Sequence, residues 1–149
     1  MKPKITGVHH IALKARGLAA YEKLLSFYHD ILGMPLVRTW GEGENLGAMV
    51  DTGAGMLELF SNATDELGMG ALRHLAFAVE DVDVCIEAVR AAGYTVTMEP
   101  KDIVIGSQPP YPARIGFCIG PVGEEVEFFK ERYGESLGEF FLGLCFVKG

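Results

Sequence analysis

The phrase Val8-His9-His10-Ile11-Ala12-Leu13 returns, in most of its pattern, as Leu72-Arg73-His74-Leu75-Ala76-Phe77. Aligned at His10 and His74, each copy runs through an amphipathic helical pattern, a glycine and strand-like segments, and closes with a glutamate in an apolar run. The closing runs are Met56-Leu57-Glu58-Leu59-Phe60 and Glu125-Val126-Glu127-Phe128-Phe129. Such a chain is two copies of one supersecondary unit, and the unit reads as strand, helix, then three strands. We expect an α+β fold in which two βαβββ repeats form a curved sheet around a cleft.

Composition narrows the class. At 149 residues the chain is the size of one domain, with repeats over 5–66 and 70–132 and a helical tail over 134–149. Hydrophobic residues at 49% and charged residues at 22% give a globular balance. A net charge of −7 repels polyanions, so nucleic acid is excluded as a partner. Three cysteines, Cys85, Cys118 and Cys145, form no CxxC pair and are odd in number, which argues against a disulfide framework and for a reducing compartment. The first residues carry lysines with no apolar run behind them, and the apolar stretch 140–147 is less than half of the roughly 20 residues a membrane span needs. The expectation is a cytoplasmic protein without membrane association.

Alternation over 5–14 puts His10, Ala12 and Lys14 on one strand face and Ile11 and Leu13 on the other. Tyr21, Leu24, Leu25, Tyr28, Ile31 and Leu32 follow helical spacing, with Gly33 as a left-handed terminator. Strands follow at about 35–40, 46–51 and through Glu58. In the second repeat Asp81 is the expected N-cap, Val82, Cys85, Ile86 and Val89 form the helical stripe, and Gly93 ends it. The segment 100–112, with Pro100, Pro109, Pro110 and Pro112, reads as a stiff loop and a candidate lid, longer than the roughly 2–5 residues of a hairpin connection. Lys101 lies at one end of it. Alternation is read as placing Arg114, Gly116 and Cys118 on the cleft face, opposite Ile115, Phe117 and Ile119. In the tail, Leu137, Phe140, Phe141, Leu144 and Cys145 fall at helical spacing, and this extra apolar stripe predicts a homodimer.

The chemistry rests on the matched positions. One strand histidine is ordinarily a hydrogen-bonded core residue, but His10, Glu58, His74 and Glu127 recur at equivalent points of both repeats. A glutamate buried in an apolar strand costs several kcal/mol unless paired or metal-bound. Two imidazoles and two carboxylates form a donor set for one divalent metal ion such as Zn, Ni, Co or Mn. His9, on the opposite face, and His29, within the helix, read as structural or solvated.

With these motifs in hand, the chain resembles the vicinal oxygen chelate superfamily, which includes glyoxalase I, methylmalonyl-CoA epimerase, extradiol dioxygenases, and fosfomycin and bleomycin resistance proteins. The resemblance covers roughly 5–132. Its most specific pieces are His10-Ile-Ala-Leu, the helix end 27–34, Leu57-Glu58-Leu59, His74-Leu-Ala-Phe-Ala-Val, and Gly120-Pro121-Val122-Gly123 before Val126-Glu127-Phe128. It implies that His10, Glu58, His74 and Glu127 bind the metal, and this His, Glu, His, Glu set is similar to that of glyoxalase I, or lactoylglutathione lyase. Asn62, four residues after Glu58, matches an asparagine that contacts glutathione in the compact bacterial enzymes. Lys14 stands where those have arginine, which keeps the charge and loses the bidentate fork.

The implied activity is conversion of a thiol hemithioacetal of a 2-oxoaldehyde, such as methylglyoxal, to a 2-hydroxyacyl thioester. Glu127 is the implied base, with Glu58 serving the opposite face. Lys14, Asn62, Lys101 and Arg114 are the candidate substrate-binding residues. The alternatives are a methylmalonyl-CoA-type epimerase and a non-catalytic ligand-binding protein of the resistance type. The metal site is built within one chain or shared across the expected homodimer.

Overall fold

A computed structural model describes residues 4, 6–65, 72–107 and 109–132. The tail on which the homodimer expectation rests lies outside the described residues. The chain divides into two compact units, one of Met1–Arg73 with Gly120–Glu124 and one of His74–Ile119 with Glu125–Gly149.

In the first unit β1 (His10–Lys14) is followed by α1 (Leu18–Ser26), which widens into a single π-helical turn at Phe27–Ile31. Three strands follow, β2 (Leu36–Glu42), β3 (Asn45–Asp51) and β4 (Met56–Phe60). The sheet order is β1-β4-β3-β2, with β1 parallel to β4 and the remaining pairs antiparallel. The α1 crossover makes the parallel pairing possible, because parallel neighbours cannot be joined by a tight hairpin. Leu57 and Leu59 of β4 and Ala48 and Val50 of β3 are buried together with Leu24, Phe27 and Tyr28 of the helical segment. Burial of a leucine of this kind contributes about 1.5–3 kcal/mol.

The second unit repeats the plan with β5 (Leu75–Ala78), α2 (Val82–Ala91), β6 (Val96–Ile105), β7 (Tyr111–Ile119) and β8 (Glu125–Glu131). Its order, β5-β8-β7-β6 with β5 parallel to β8, is that of the first unit. Asp81 caps α2 as expected, its carboxylate accepting from Val84 N at 3.1 Å. The expected terminators Gly33 and Gly93 both take positive φ, 72° and 89°, which a residue with a Cβ adopts at a cost.

Two expectations for the second unit are corrected. The segment 100–112 is not a long loop: β6 and β7 form an extended hairpin and run through most of it. Pro100 falls in the register irregularity between Met98 and Lys101, and β6 is an edge strand, where a missing N–H costs no ladder bond. The faces of β7 are also the reverse of those expected. Gly116 and Cys118 pair with the buried Phe128 and Val126, and a Cβ on Gly116 would come within 2.8 Å of Ile86 on α2. The Arg114, Gly116 and Cys118 side is therefore the helix side, and Phe117 lies on the other.

Among the described residues, no helix is long and apolar enough to cross a membrane.

Candidate active site

Each unit presents one open sheet face. In the first, His10, Ala12 and Lys14 are exposed while Ile11 and Leu13 turn toward the core side. Parallel pairing sets Ala12 opposite Glu58, so His10 sits one side-chain step before the glutamate on the same face. Nε2 of His10 lies 3.3 Å from Oε2 of Glu58.

The second unit has the same register. Ala76 is opposite Glu127, His74 precedes it by two residues, and Nε2 of His74 is 3.1 Å from Oε2 of Glu127. In both units an alanine faces the glutamate, and its single methyl group leaves the carboxylate room to lean toward the imidazole. Glu127 is 8% exposed, and burial raises the pKa of its carboxyl above the ordinary value, partly offset by His74 and reinforced by Glu125. Among the described residues, no three His, Cys, Asp or Glu side chains converge, so each unit offers a two-donor pair.

Those pairs fit a metal. Two donors bonded to one ion at about 2.1 Å, at angles of 90–110°, stand roughly 3.0–3.4 Å apart. Both imidazole–carboxylate separations lie in that interval.

The structure brings His9, expected to be structural or solvated, against His10, and adds Trp40, Phe60 and Phe117. His9 is not remote from the site: its Nδ1 is 2.8 Å from Nδ1 of His10, one ring donating to the other. The bond orients His10 through the nitrogen that does not face Glu58. Trp40 and Phe60 pack edge to face at 5.7 Å on the open face, and the Trp40 indole lies over Gly47, where an added Cβ would approach within 2.2 Å. In the second unit Phe117 meets His74 edge-on at 5.6 Å. The available signal was Gly47, a glycine inside a strand, which marks a close approach by a neighbour.

Lys14 keeps its place on the open face, with Nζ 5.5 Å from the centre of the Phe60 ring. Asn62 is exposed just past β4, where it forms a backbone bridge with Arg16. Lys101 is exposed on β6. Arg114 is held on the helix side, where its Nε and Nη2 donate to Asp83 at 2.6 and 2.8 Å and Nη1 lies 3.3 Å from Asp102. The guanidinium in turn holds the Asp83 carboxyl below its ordinary pKa. His29 is structural as expected, with Nδ1 donating to the Met34 carbonyl at 2.8 Å.

A turn at 121–123 completes the first unit. Glu124 folds back over it, accepting from Val122 N at 2.9 Å and from the Tyr28 hydroxyl at 2.7 Å. A Cβ on Gly120 would come within 2.4 Å of the Glu124 carboxyl group, so glycine there makes room for the side chain. Burial is the main cause that raises the Glu124 pKa, against hydrogen bonds that lower it. A carboxyl that holds its proton more tightly when folded contributes stability below its unfolded value, near 4.5, and loses it as pH rises through the folded value. Glu124→Gln keeps an oxygen for Val122 N and cannot ionise. Thermal melts should therefore show the variant as stable as the parent or more so at neutral pH, with a flatter dependence above about pH 4.5. A steeper dependence would contradict this account.

The fold and the duplicated His–Glu register define a class, and comparison with known proteins agrees. Residues 7–128 match the model of the Glyoxalase/Bleomycin resistance protein/Dioxygenase superfamily, and the chain belongs to that family. It is 33% identical over 123 residues to a lactoylglutathione lyase of Haemophilus influenzae, covering 77% of this chain and 87% of that one. A lactoylglutathione lyase of Neisseria meningitidis serogroup A is 32% identical, with 77% and 86% covered. Among solved structures, a glyoxalase family protein from Enterococcus faecalis superposes with a TM-score of 0.61 at 23% identity, covering 83% of this chain and 97% of that one, which supports the fold.

Proposed function

We propose that this protein is a metal-dependent lyase of the glyoxalase I type, which isomerises a thiol hemithioacetal of a 2-oxoaldehyde to a 2-hydroxyacyl thioester. The observation that carries the reading is the repeated register: an imidazole and a carboxylate, 3.3 and 3.1 Å apart, placed identically in both units. Relatives named lactoylglutathione lyase support it.

His10, Glu58, His74 and Glu127 would hold one divalent ion, of the Zn, Ni, Co or Mn group. When bound, that ion supplies Lewis acidity toward two adjacent substrate oxygens. Glu127 takes the proton from the carbon bearing sulfur, because a poorly solvated carboxylate is the stronger base. Glu58 serves the opposite face of the substrate. His9 orients His10, and Trp40 with Phe60 offers an apolar surface on the same open sheet face. Lys14 and Asn62 would meet the far end of the thiol, and Lys101, exposed on β6, is a further candidate substrate contact.

The test is turnover of methylglyoxal with glutathione and with other thiols, after reconstitution with each metal. Thioester formation with at least one thiol is expected. Metal-loaded protein inactive with every thiol would overturn the reading.

A further inference from the structure

The two repeats match at histidine and glutamate and part company one side-chain step earlier on the closing strand. In the first unit the residue paired with His10 is Met56. Its equivalent in β8 is Glu125, since Glu58 pairs with Ala12 as Glu127 pairs with Ala76. The register of β8 with β7 is unbroken from Glu125 to Glu131, so alternation puts Glu125 on the open face with Glu127, about 7 Å away along the strand. Ile119 stands opposite it on β7. Glu125 is half-buried, yet among the described residues its carboxylate forms neither an ion pair nor a hydrogen bond. By contrast Glu124, beside it in the chain, accepts from Tyr28 and Val122, and Glu131 accepts from Tyr111. Nor does Glu125 complete a three-donor cluster with His74 and Glu127. Its charge is nonetheless felt at Glu127, whose pKa it helps to raise.

We infer that Glu125 is a specificity-determining residue, which accepts a hydrogen bond from an O–H or N–H donor that the substrate carries close to its reacting carbons. This rests on the proposed function and names a feature of the substrate it would take. A half-buried carboxylate without a donor is an unmet acceptor, and a ligand that displaces its remaining water must replace that water's hydrogen bond or forfeit affinity. Discrimination follows, because a site built around a substrate donor rejects the analogue that lacks it more sharply than an apolar site rejects a missing methylene. Two parts of a thiol hemithioacetal can carry such a donor: a hydroxyl on the 2-oxoaldehyde, or the amide N–H that stands two carbons from sulfur in a cysteamine or cysteinyl thiol. Met56, at the matched place in the first unit, can serve neither as a strong acceptor. The recognition is therefore one-sided, although the His–Glu pairs are not.

The experiment sets matched compounds, differing only in the donor, against the full-length, metal-loaded chain. On the aldehyde side, hydroxypyruvaldehyde is compared with methylglyoxal in turnover, and glycolohydroxamate with acetohydroxamate as inert chelating probes in calorimetry. On the thiol side, N-acetylcysteamine is compared with mercaptoethyl acetate, in which an ester oxygen replaces the N–H, and their S-methyl ethers are the inert pair. In one of the two comparisons the donor member should bind about tenfold or more tighter, as a hydrogen bond to a charged group provides, and the same preference should appear in KM rather than kcat. The comparison that shows it locates the donor. Glu125→Met, which installs the residue of the first repeat, should abolish the preference, whereas Glu125→Gln, whose carbonyl still accepts, should keep part of it. No preference in either comparison, or an undiminished one in Glu125→Met, overturns the assignment. A Glu125-dependent preference among the inert probes without turnover of any thiol adduct would leave the assignment standing and refute the lyase. Turnover without any such preference would do the reverse.

Discussion

Glu127→Gln is expected to retain bound metal and to lose turnover by about 10²–10⁴-fold, the usual contribution of a positioned acid–base group. The amide offers an oxygen in the place of Oε2, 3.1 Å from His74 Nε2, but it cannot accept the migrating proton. Because Glu127 is itself only 8% exposed, solvent is poorly placed to take over as base at its position. Metal content by elemental analysis, beside kcat, separates the two functions of the residue. Activity near that of the parent would transfer the base role to Glu58. Loss of metal together with activity would leave Glu127 as a ligand whose charge is required.

Phe128→Ala should destabilise the protein by about 3–5 kcal/mol, the cost of removing a large aromatic side chain and leaving part of its volume empty. Phe128 is 1% exposed on β8, which is hydrogen-bonded to β5 on one side and β7 on the other. In a chain of this size the melting temperature should fall by roughly 10 °C or more. Val104→Ala, on the edge strand and 40% exposed, should change stability by no more than about 0.5 kcal/mol. Equal losses in the two variants would mean that β8 is not the core strand described.

The repeat made most of the fold legible. His10 and His74 align two copies of the same element order, and Gly33, Asp81 and Gly93 mark helix boundaries by backbone requirements that hold without tertiary context. The His–Glu pairs were legible for the same reason, since a polar residue kept at one register in two apolar strands needs a partner. What failed depended on pairing. Prolines in 100–112 suggested a loop because strand order, which makes β6 an edge, is not written locally. Alternation groups Arg114, Gly116 and Cys118 on one face of β7 but does not say which face meets the helix: Gly116 accommodates Ile86 of α2, and Arg114 reaches Asp83 near the start of that helix. Trp40 over Gly47 and Glu124 against Tyr28 join residues that no spacing rule brings together.

The turn at 121–123 has a consequence for synthesis. The first unit contains Gly120–Glu124, a segment translated only after β5, α2, β6 and β7. A nascent chain released as far as Arg73 therefore lacks the Glu124 carboxylate that meets Tyr28. Cutting the gene between its repeats would not yield two interchangeable halves. The first would be an unfinished fragment, and supplying the second in trans would have to return five residues to a body they do not follow in sequence.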